Sequence, residues 1–267
     1  MVPAGSGGAL SHLRQALANI EKDSGFSLEA ETLTLGLPVV DAALGGGLAL
    51  AAVHEIAPAG PAQIGAAAGF ALTLATLRTA QKMSRNRPVL FIQTDYAALE
   101  AGAPYGPGLD GLGLPMERII VLRAPRPIDV LWAFEEALKS RGVAVVIAEL
   151  PEAGAVADLT ATRRLTLAAR TGGGLGLLLR HRPSPLATAA ATRWRIAAAP
   201  STPDRFGGLG ATTFDLSLDR NRRGRCGRFL VCWDHHERHF LPAALPLGVA
   251  AAADDGSADP QPLAHTG

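Results

Sequence analysis

The sequence predicts an α/β fold with a mostly parallel, doubly wound sheet that antiparallel strands extend on its C-terminal side. Between residues 53 and 179, short apolar runs of strand length alternate with helical patterns, which is typical of βαβ units. From residue 192 onward, three runs with polar alternation have no helical pattern between them, and we expect antiparallel strands over 192–198, 211–219 and 227–233. Hydrophobic residues make up 48% of the 267 positions, which is enough for a large buried core.

The N-terminal region predicts one amphipathic helix and then the entry into the core. Apolar residues at helical spacing predict a helix over residues 8–22, namely Leu10, Leu13, Leu17 and Ile20. This helix could pack on its own domain or on another protein. Residues 33–36 predict a short strand and residues 39–44 a helical turn, which the run Gly45-Gly46-Gly47 ends.

The central region supplies the parallel strands and their helices. Strands are expected at 53–56, 88–93, 118–122, 143–147 and 175–179, and helices at 66–83, 127–140 and 158–170. Pro127 favours a helix start and Asp158 a helix cap. Trp132 is interpreted as a core residue, with an interface residue as the alternative. Residues 101–115 are expected to be a loop rich in Gly and Pro, with Tyr105 in it. We therefore divide the chain into an N-terminal helix and link (1–29), a core (30–241) and a disordered tail (242–267).

Charge is balanced overall but unevenly distributed. The net charge is +1, but the segment from Arg180 to Arg228 contains ten arginines and only three aspartates. This local excess indicates an anionic partner, nucleic acid being one candidate, or else ordinary solvated arginines from a GC-rich coding sequence. No apolar run is long enough for a membrane span and no signal peptide is recognisable, so a cytoplasmic protein is expected. Neither Cys226 nor Cys232 demands a disulfide.

A glycine loop between the first central strand and its helix is the most informative motif. Gly60 and Gly65 have the spacing of the phosphate-binding motif G-x-x-x-x-G-K-[ST], but Ala66 and Ala67 occupy the lysine and hydroxyl positions. Because the lysine would contact the β and γ phosphates and the hydroxyl would hold Mg²⁺, the motif predicts a degenerate nucleotide site. We expect no cofactor and no ATP hydrolysis, with binding of ATP and Mg²⁺ kept as the alternative.

Two carboxylates and two further clusters are the other candidates. Asp95 and Glu149 lie at strand ends, where they are relics of a nucleotide site or still bind a ligand. One predicted hairpin tip carries four arginines, namely Arg220, Arg222, Arg223 and Arg225. They could contact DNA phosphate or an acidic partner, or they could keep an edge strand soluble. His235, His236 and His239 lie on a predicted strand and turn, so no metal site is expected.

Taken in order, these segments resemble the RecA recombinase core. TLGLPVVDAALGGGLALAAVHEI resembles the approach to its P-loop, FIQTDYAALE the strand that ends in its catalytic glutamate, and VAVVIAEL its Walker B strand. The resemblance implies a RecA-like P-loop core over residues 30–235. It places Asp95 at the catalytic position, Glu149 at the Walker B position and His181 near the sensor glutamine. Only about a dozen residues separate the strands that end at Leu179 and begin at Thr192, too few for a RecA-type DNA-binding loop.

A narrower resemblance is to the ImuA family, proteins similar to RecA and SulA in a bacterial SOS mutagenesis cassette. The segments RAPRPIDVLWAFEEAL (123–138), DLTATRRLTLAA (158–169) and WDHHERHF (233–240) carry it. It implies a non-catalytic accessory of SOS-induced translesion DNA synthesis in response to DNA damage. The implied partners are an ImuB-like inactive Y-family polymerase and an error-prone C-family DNA polymerase, with RecA as a further candidate. Direct DNA binding stays open.

Two other functions fit the same fold. An ATP-dependent recombinase or recombination mediator would need nucleotide contacts that bypass the missing lysine, with the backbone N–H groups of Gly65 to Ala67 as donors. A SulA-like inhibitor of cell division would act by binding the tubulin-like division protein. No Ser/His/Asp or Cys/His constellation indicates a hydrolase.

Overall fold

A computed structural model describes residues 31–151, 155–203, 206, 208 and 210–243. The predicted helix over residues 8–22 lies outside these described residues, and so does the predicted disordered tail (242–267) except for Pro242 and Ala243. Among the described helices, none is long and apolar enough to cross a membrane.

Eleven strands are present in the described residues, nine of them in one sheet. The first two, β1 (Thr32–Leu33) and β2 (Leu48–Ala49), pair antiparallel in a small separate sheet. The others are β3 (Ala52–Pro58), β4 (Val89–Thr94), β5 (Ile119–Ala124), β6 (Val145–Leu150), β7 (Leu175–Arg180), β8 (Thr192–Ala198), β9 (Thr212–Asn221), β10 (Gly227–Asp234) and β11 (His239–Pro242).

The large sheet has the order β11-β10-β9-β8-β3-β7-β6-β4-β5. All pairings from β8 to β5 are parallel, and those from β8 through β9 and β10 to β11 are antiparallel. The predicted α/β class, with a mostly parallel sheet and a C-terminal antiparallel extension, is confirmed, and the architecture is that of a RecA-like core.

Six α-helices connect and cover these strands in the described residues. They are α1 (Pro38–Ala43), α2 (Ile64–Ala80), α3 (Asp95–Glu100), α4 (Gly106–Leu112), α5 (Pro127–Lys139) and α6 (Leu159–Gly172). Helix α6 begins as predicted, because the Asp158 carboxylate accepts a hydrogen bond from the N–H of Ala161 at 2.8 Å. It ends at Gly173, whose φ of +76° is the left-handed conformation that favours glycine.

The helices form a layer on each face of the sheet. Alternate residues of the central strands point to opposite faces, where they join two separate apolar clusters. Helix α2 covers the first face, where Phe70 packs in an aromatic cluster with Trp194, Phe214 and Phe240. Helices α5 and α6 cover the second face through the apolar side chains of Phe134 and Leu165. Because these strands are parallel, their carboxyl ends lie on the same side of the sheet, between the two helical layers.

Of the differences from the sequence predictions, three concern the sheet, the loop 101–115 and the core. Strand β8 is antiparallel only to β9; on its other side it pairs parallel with β3, because the chain crosses back over the sheet after β7. The expected loop 101–115 contains helix α4. Trp132 was expected in the core, but its side chain is 66% exposed, because α5 buries Val130, Leu131, Phe134 and Leu138 instead.

Candidate functional site

The glycine loop after β3 is a compact turn that leads directly into α2. Residues Pro61–Gln63 form a 3₁₀ turn, in which the N–H of Gln63 donates to the carbonyl of Gly60 at 2.9 Å. The Gln63 side chain accepts a hydrogen bond from the N–H of Ala198 at 2.8 Å, which ties the turn to the end of β8. One N–H that could contact a phosphate is thus already used within the loop.

Neither predicted loop glycine is required by the backbone. Gly60 is extended, with φ −157°, and Gly65 lies in the first turn of α2, which starts two residues earlier than predicted. A Cβ added at either position would meet no heavy atom within 4 Å. The side chain of Ala67 is fully buried in the core, and that of Ala66 packs partly against it. The residues at the lysine and hydroxyl positions of the motif therefore contribute to the packing of α2.

A buried polar cluster lies beside this loop, at the carboxyl ends of three neighbouring strands. The Glu149 carboxylate of β6 accepts a hydrogen bond from Nε2 of His181 at 2.7 Å and one from Nε2 of Gln93 at 3.4 Å. Gln93, on β4, also donates to the carbonyl of Gly102 at 3.2 Å. The cluster therefore engages both carboxylate oxygens of Glu149 with groups of the protein itself.

The cavity next to Glu149 is small and mostly apolar. Its volume is about 120 Å³, and Ile64, Gly65, Leu72 and Phe91 are among its lining residues. Ligand pockets commonly measure about 300–1,000 Å³. The cavity is therefore smaller than a typical small-molecule site.

Of the two predicted carboxylates, only Glu149 belongs to this cluster. Asp95 is exposed at the first position of α3, where Thr94 caps the helix by accepting from the N–H of Ala97 at 3.0 Å. Gln93 was missed by the sequence analysis, although a glutamine ending the apolar run of residues 88–93 was a usable signal. The Oε1 atom of Gln93 is buried and has no hydrogen-bond partner within the described residues.

A second buried polar cluster was not predicted at all. Glu55 on β3 and Arg180 on β7 form an ion pair although both side chains are only 1% exposed, and Nε of Arg193 on β8 approaches Glu55 at 3.3 Å. The Thr188 hydroxyl donates to Glu55 at 2.9 Å. Burial lowers the pKa of Arg180, and the negative charge of Glu55 opposes this effect.

This cluster fixes the segment that returns the chain from β7 to β8. We call residues 181–191 the crossover loop; it passes over β3 on the face that also packs against α6, and its Thr188 contacts Glu55 there. Loop carbonyls accept from arginines beneath it: Ser184 and Leu186 from Arg193, and Thr188 from Arg220. Half-buried arginine side chains thus supply the hydrogen-bond donors for the carbonyls of this loop.

The four arginines predicted at the tip between β9 and β10 lie in different environments. Arg220 and Arg222 donate to carbonyls of the crossover loop, Arg222 through Nε to Ala190 at 3.0 Å. Burial lowers the pKa of Arg222, as do the charges of Arg220 and Arg163. Arg223 is half-buried, and Arg225 is exposed while its backbone N–H donates to Ala43 at 3.0 Å.

The histidine cluster has structural contacts rather than a shared centre. His235 bonds the carbonyl of Gly111 at 2.8 Å and the Thr212 hydroxyl at 3.1 Å. Within the part of the chain that the structure describes, no group of three His, Cys, Asp or Glu side chains could hold a metal ion.

The sheet edge at β5 presents an uncovered apolar surface. Ile120, Val121 and Leu122 are 53%, 42% and 40% exposed, and they alternate between the two faces of the strand. Among the described strands, β5 pairs only with β4, so its outer backbone edge is available for another strand.

Comparison with known proteins identifies the family of this chain. No protein-family model matches the chain. Protein ImuA from two strains of Caulobacter vibrioides is 35% identical over 222 residues, covering 78% of this chain and 86% of the relative. The cell division inhibitor SulA of Edwardsiella piscicida is 36% identical over 84 residues, covering 31% of this chain and 46% of that protein. With this identity over most of both chains, the protein belongs to the ImuA family.

Proposed function

We propose that this chain is a non-catalytic, RecA-like accessory protein of SOS-induced translesion DNA synthesis that acts through protein–protein contacts in the cytoplasm. The observation that carries the proposal is the state of the nucleotide position. Glu149 bonds Gln93 and His181 beside a small apolar cavity, and alanines occupy the lysine and hydroxyl positions. Phosphoryl transfer needs a phosphate clamp, metal ligands and a base together.

Membership of the ImuA family supports the cellular part of the proposal. On this basis the partners are an ImuB-like inactive Y-family polymerase and an error-prone C-family DNA polymerase, with RecA as a further candidate. The degenerate nucleotide position agrees with a role in assembly, because binding a partner does not require phosphate chemistry.

The β5 edge supports a role in protein contacts. An apolar edge strand with a free backbone ladder can accept an extended segment of another protein by strand addition. We propose this edge as one contact surface, since Ile120 and Leu122 offer apolar side chains on one face and Val121 on the other.

Co-purification with an ImuB-like partner tests this proposal. The unaltered chain should retain the partner, and Val121→Asp should weaken retention because it places a charge at the strand interface. Val39→Asp is a matched control, since Val39 is an exposed valine on α1, beside β10 near the other end of the sheet. No retention of the partner by the unaltered chain under any condition would contradict the proposal.

A SulA-like role in cell division is the second candidate, because SulA of Edwardsiella piscicida is similar over part of the chain. It predicts filamentous cells when this protein is overexpressed. Normal division during overexpression would remove this candidate and would leave the first one unaffected.

A further inference from the structure

A basic cleft lies between α6, the crossover loop and the tip that follows β9. We use this name for the cleft of about 360 Å³ whose lining includes Leu159, Arg163, Leu167, Arg170 and Arg222. Among the described residues that line it, none is acidic and none is aromatic. The cleft lies apart from the Glu149 cavity and from the β5 edge.

The wall formed by α6 combines charge with an exposed apolar side chain. Arg163, Leu167 and Arg170 are spaced by four and three residues, so they share one face of the helix. The two arginines lie about 10 Å apart along the helix axis. Leu167 between them is 60% exposed, which places an apolar contact point between two cationic ones.

The opposite wall holds a guanidinium in a fixed position. Arg222 donates from Nε to the carbonyl of Ala190 and from Nη2 to that of Thr188, each at 3.0 Å. Arg163 and Arg220 are close enough for their charges to lower the pKa of Arg222. The fold thus holds the positive charges of Arg163, Arg220 and Arg222 close together, which favours an anionic ligand at this position.

We propose that the basic cleft binds an acidic peptide segment of a protein partner, with carboxylates on Arg163, Arg170 and Arg222 and an apolar side chain on Leu159 and Leu167. This inference rests on the proposed function and specifies the chemistry of one of its contacts. Single-stranded nucleic acid fits less well, because binding it usually uses aromatic side chains for base stacking. The exposed Leu167 suits the apolar anchor of a peptide instead.

Fluorescence anisotropy with synthetic peptides on the full chain tests the proposal. The probe is a labelled peptide of about ten residues that consists of Asp and Glu around a central Leu-Phe. Comparison peptides replace Leu-Phe by Gly-Ser, or replace the acids by Lys and Arg. An oligothymidylate of about 20 nucleotides serves as the nucleic-acid probe.

The anchored acidic peptide should bind, and Arg163→Ala and Leu167→Ser should each weaken its binding about fivefold. Arg164→Ala is the matched control. Arg164 is the next residue of α6, but it pairs with Glu135 of α5 at 2.6 Å, so its removal should leave peptide binding unchanged.

Three results would overturn the inference. They are no binding of the anchored peptide up to about 1 mM, equal binding of the peptide without an anchor, or tighter binding of oligothymidylate with the same dependence on Arg163. ATP titration and partner retention do not involve the cleft probe, so failure of this inference and failure of the proposed function are distinguishable.

Discussion

Replacing Glu55 by Gln should destabilise the protein strongly, because Glu55 is the only carboxylate among the described groups that pair with Arg180 and Arg193. Arg180 is almost fully buried, so neutralising Glu55 leaves a cation without its counter-charge. Breaking a buried ion pair from one side costs about 3–5 kcal/mol. For a chain of this size, that loss should lower the midpoint of thermal unfolding by about 10 °C.

The assay is urea and thermal unfolding followed by circular dichroism. Asp219→Asn is a matched control in the same sheet, because it removes a carboxylate from the half-exposed pair of Arg195 and Asp219. This variant should lose less than about 1 kcal/mol. If Glu55→Gln cost no more than Asp219→Asn, the argument that the buried cluster holds the crossover loop would be refuted.

Three further outcomes follow from burial and backbone geometry. Burial lowers the pKa of His54 to about 4 from the ordinary histidine value of about 6.5. The contribution of His54 to stability should therefore be full above about pH 6.5, and about 3 kcal/mol should be lost as the pH drops to about 4. Unfolding of His54→Asn should lack this acid-dependent loss. Gly65→Ala should raise the unfolding free energy by about 0.5 kcal/mol, because helix α2 accommodates the methyl group, and a loss would show that the glycine is required. Trp132→Ala should lower the unfolding free energy by under about 0.5 kcal/mol, because Trp132 is exposed. Phe134→Ala should lower it by about 3–5 kcal/mol, because Phe134 is buried. Equal losses would contradict the orientation of α5.

Local signals in the sequence predicted most elements of the fold. Apolar runs located the parallel strands, Asp158 marked the start of α6 and the glycines after Arg170 its end. These features depend on neighbouring residues alone. Trp132 was misplaced because an apolar helix position does not reveal whether the next layer covers it.

The polar clusters were harder to predict because they depend on strand order and register. Glu55, Arg180 and Arg193 are far apart in sequence, and they become neighbours only when β3 lies between β7 and β8. Gln93 meets Glu149 for the same reason, across β4 and β6. The alanines at positions 66 and 67, by contrast, were readable directly, because the phosphate-binding motif is contiguous in the chain.

Titration calorimetry of ATP in the presence of Mg²⁺ tests directly whether the nucleotide position is degenerate. We expect no heat of binding up to about 1 mM nucleotide, because lysine and hydroxyl are missing and Glu149 is held by Gln93 and His181. RecA provides the positive control for the measurement. Binding at about micromolar concentrations would contradict the account and favour an ATP-dependent recombinase or recombination mediator.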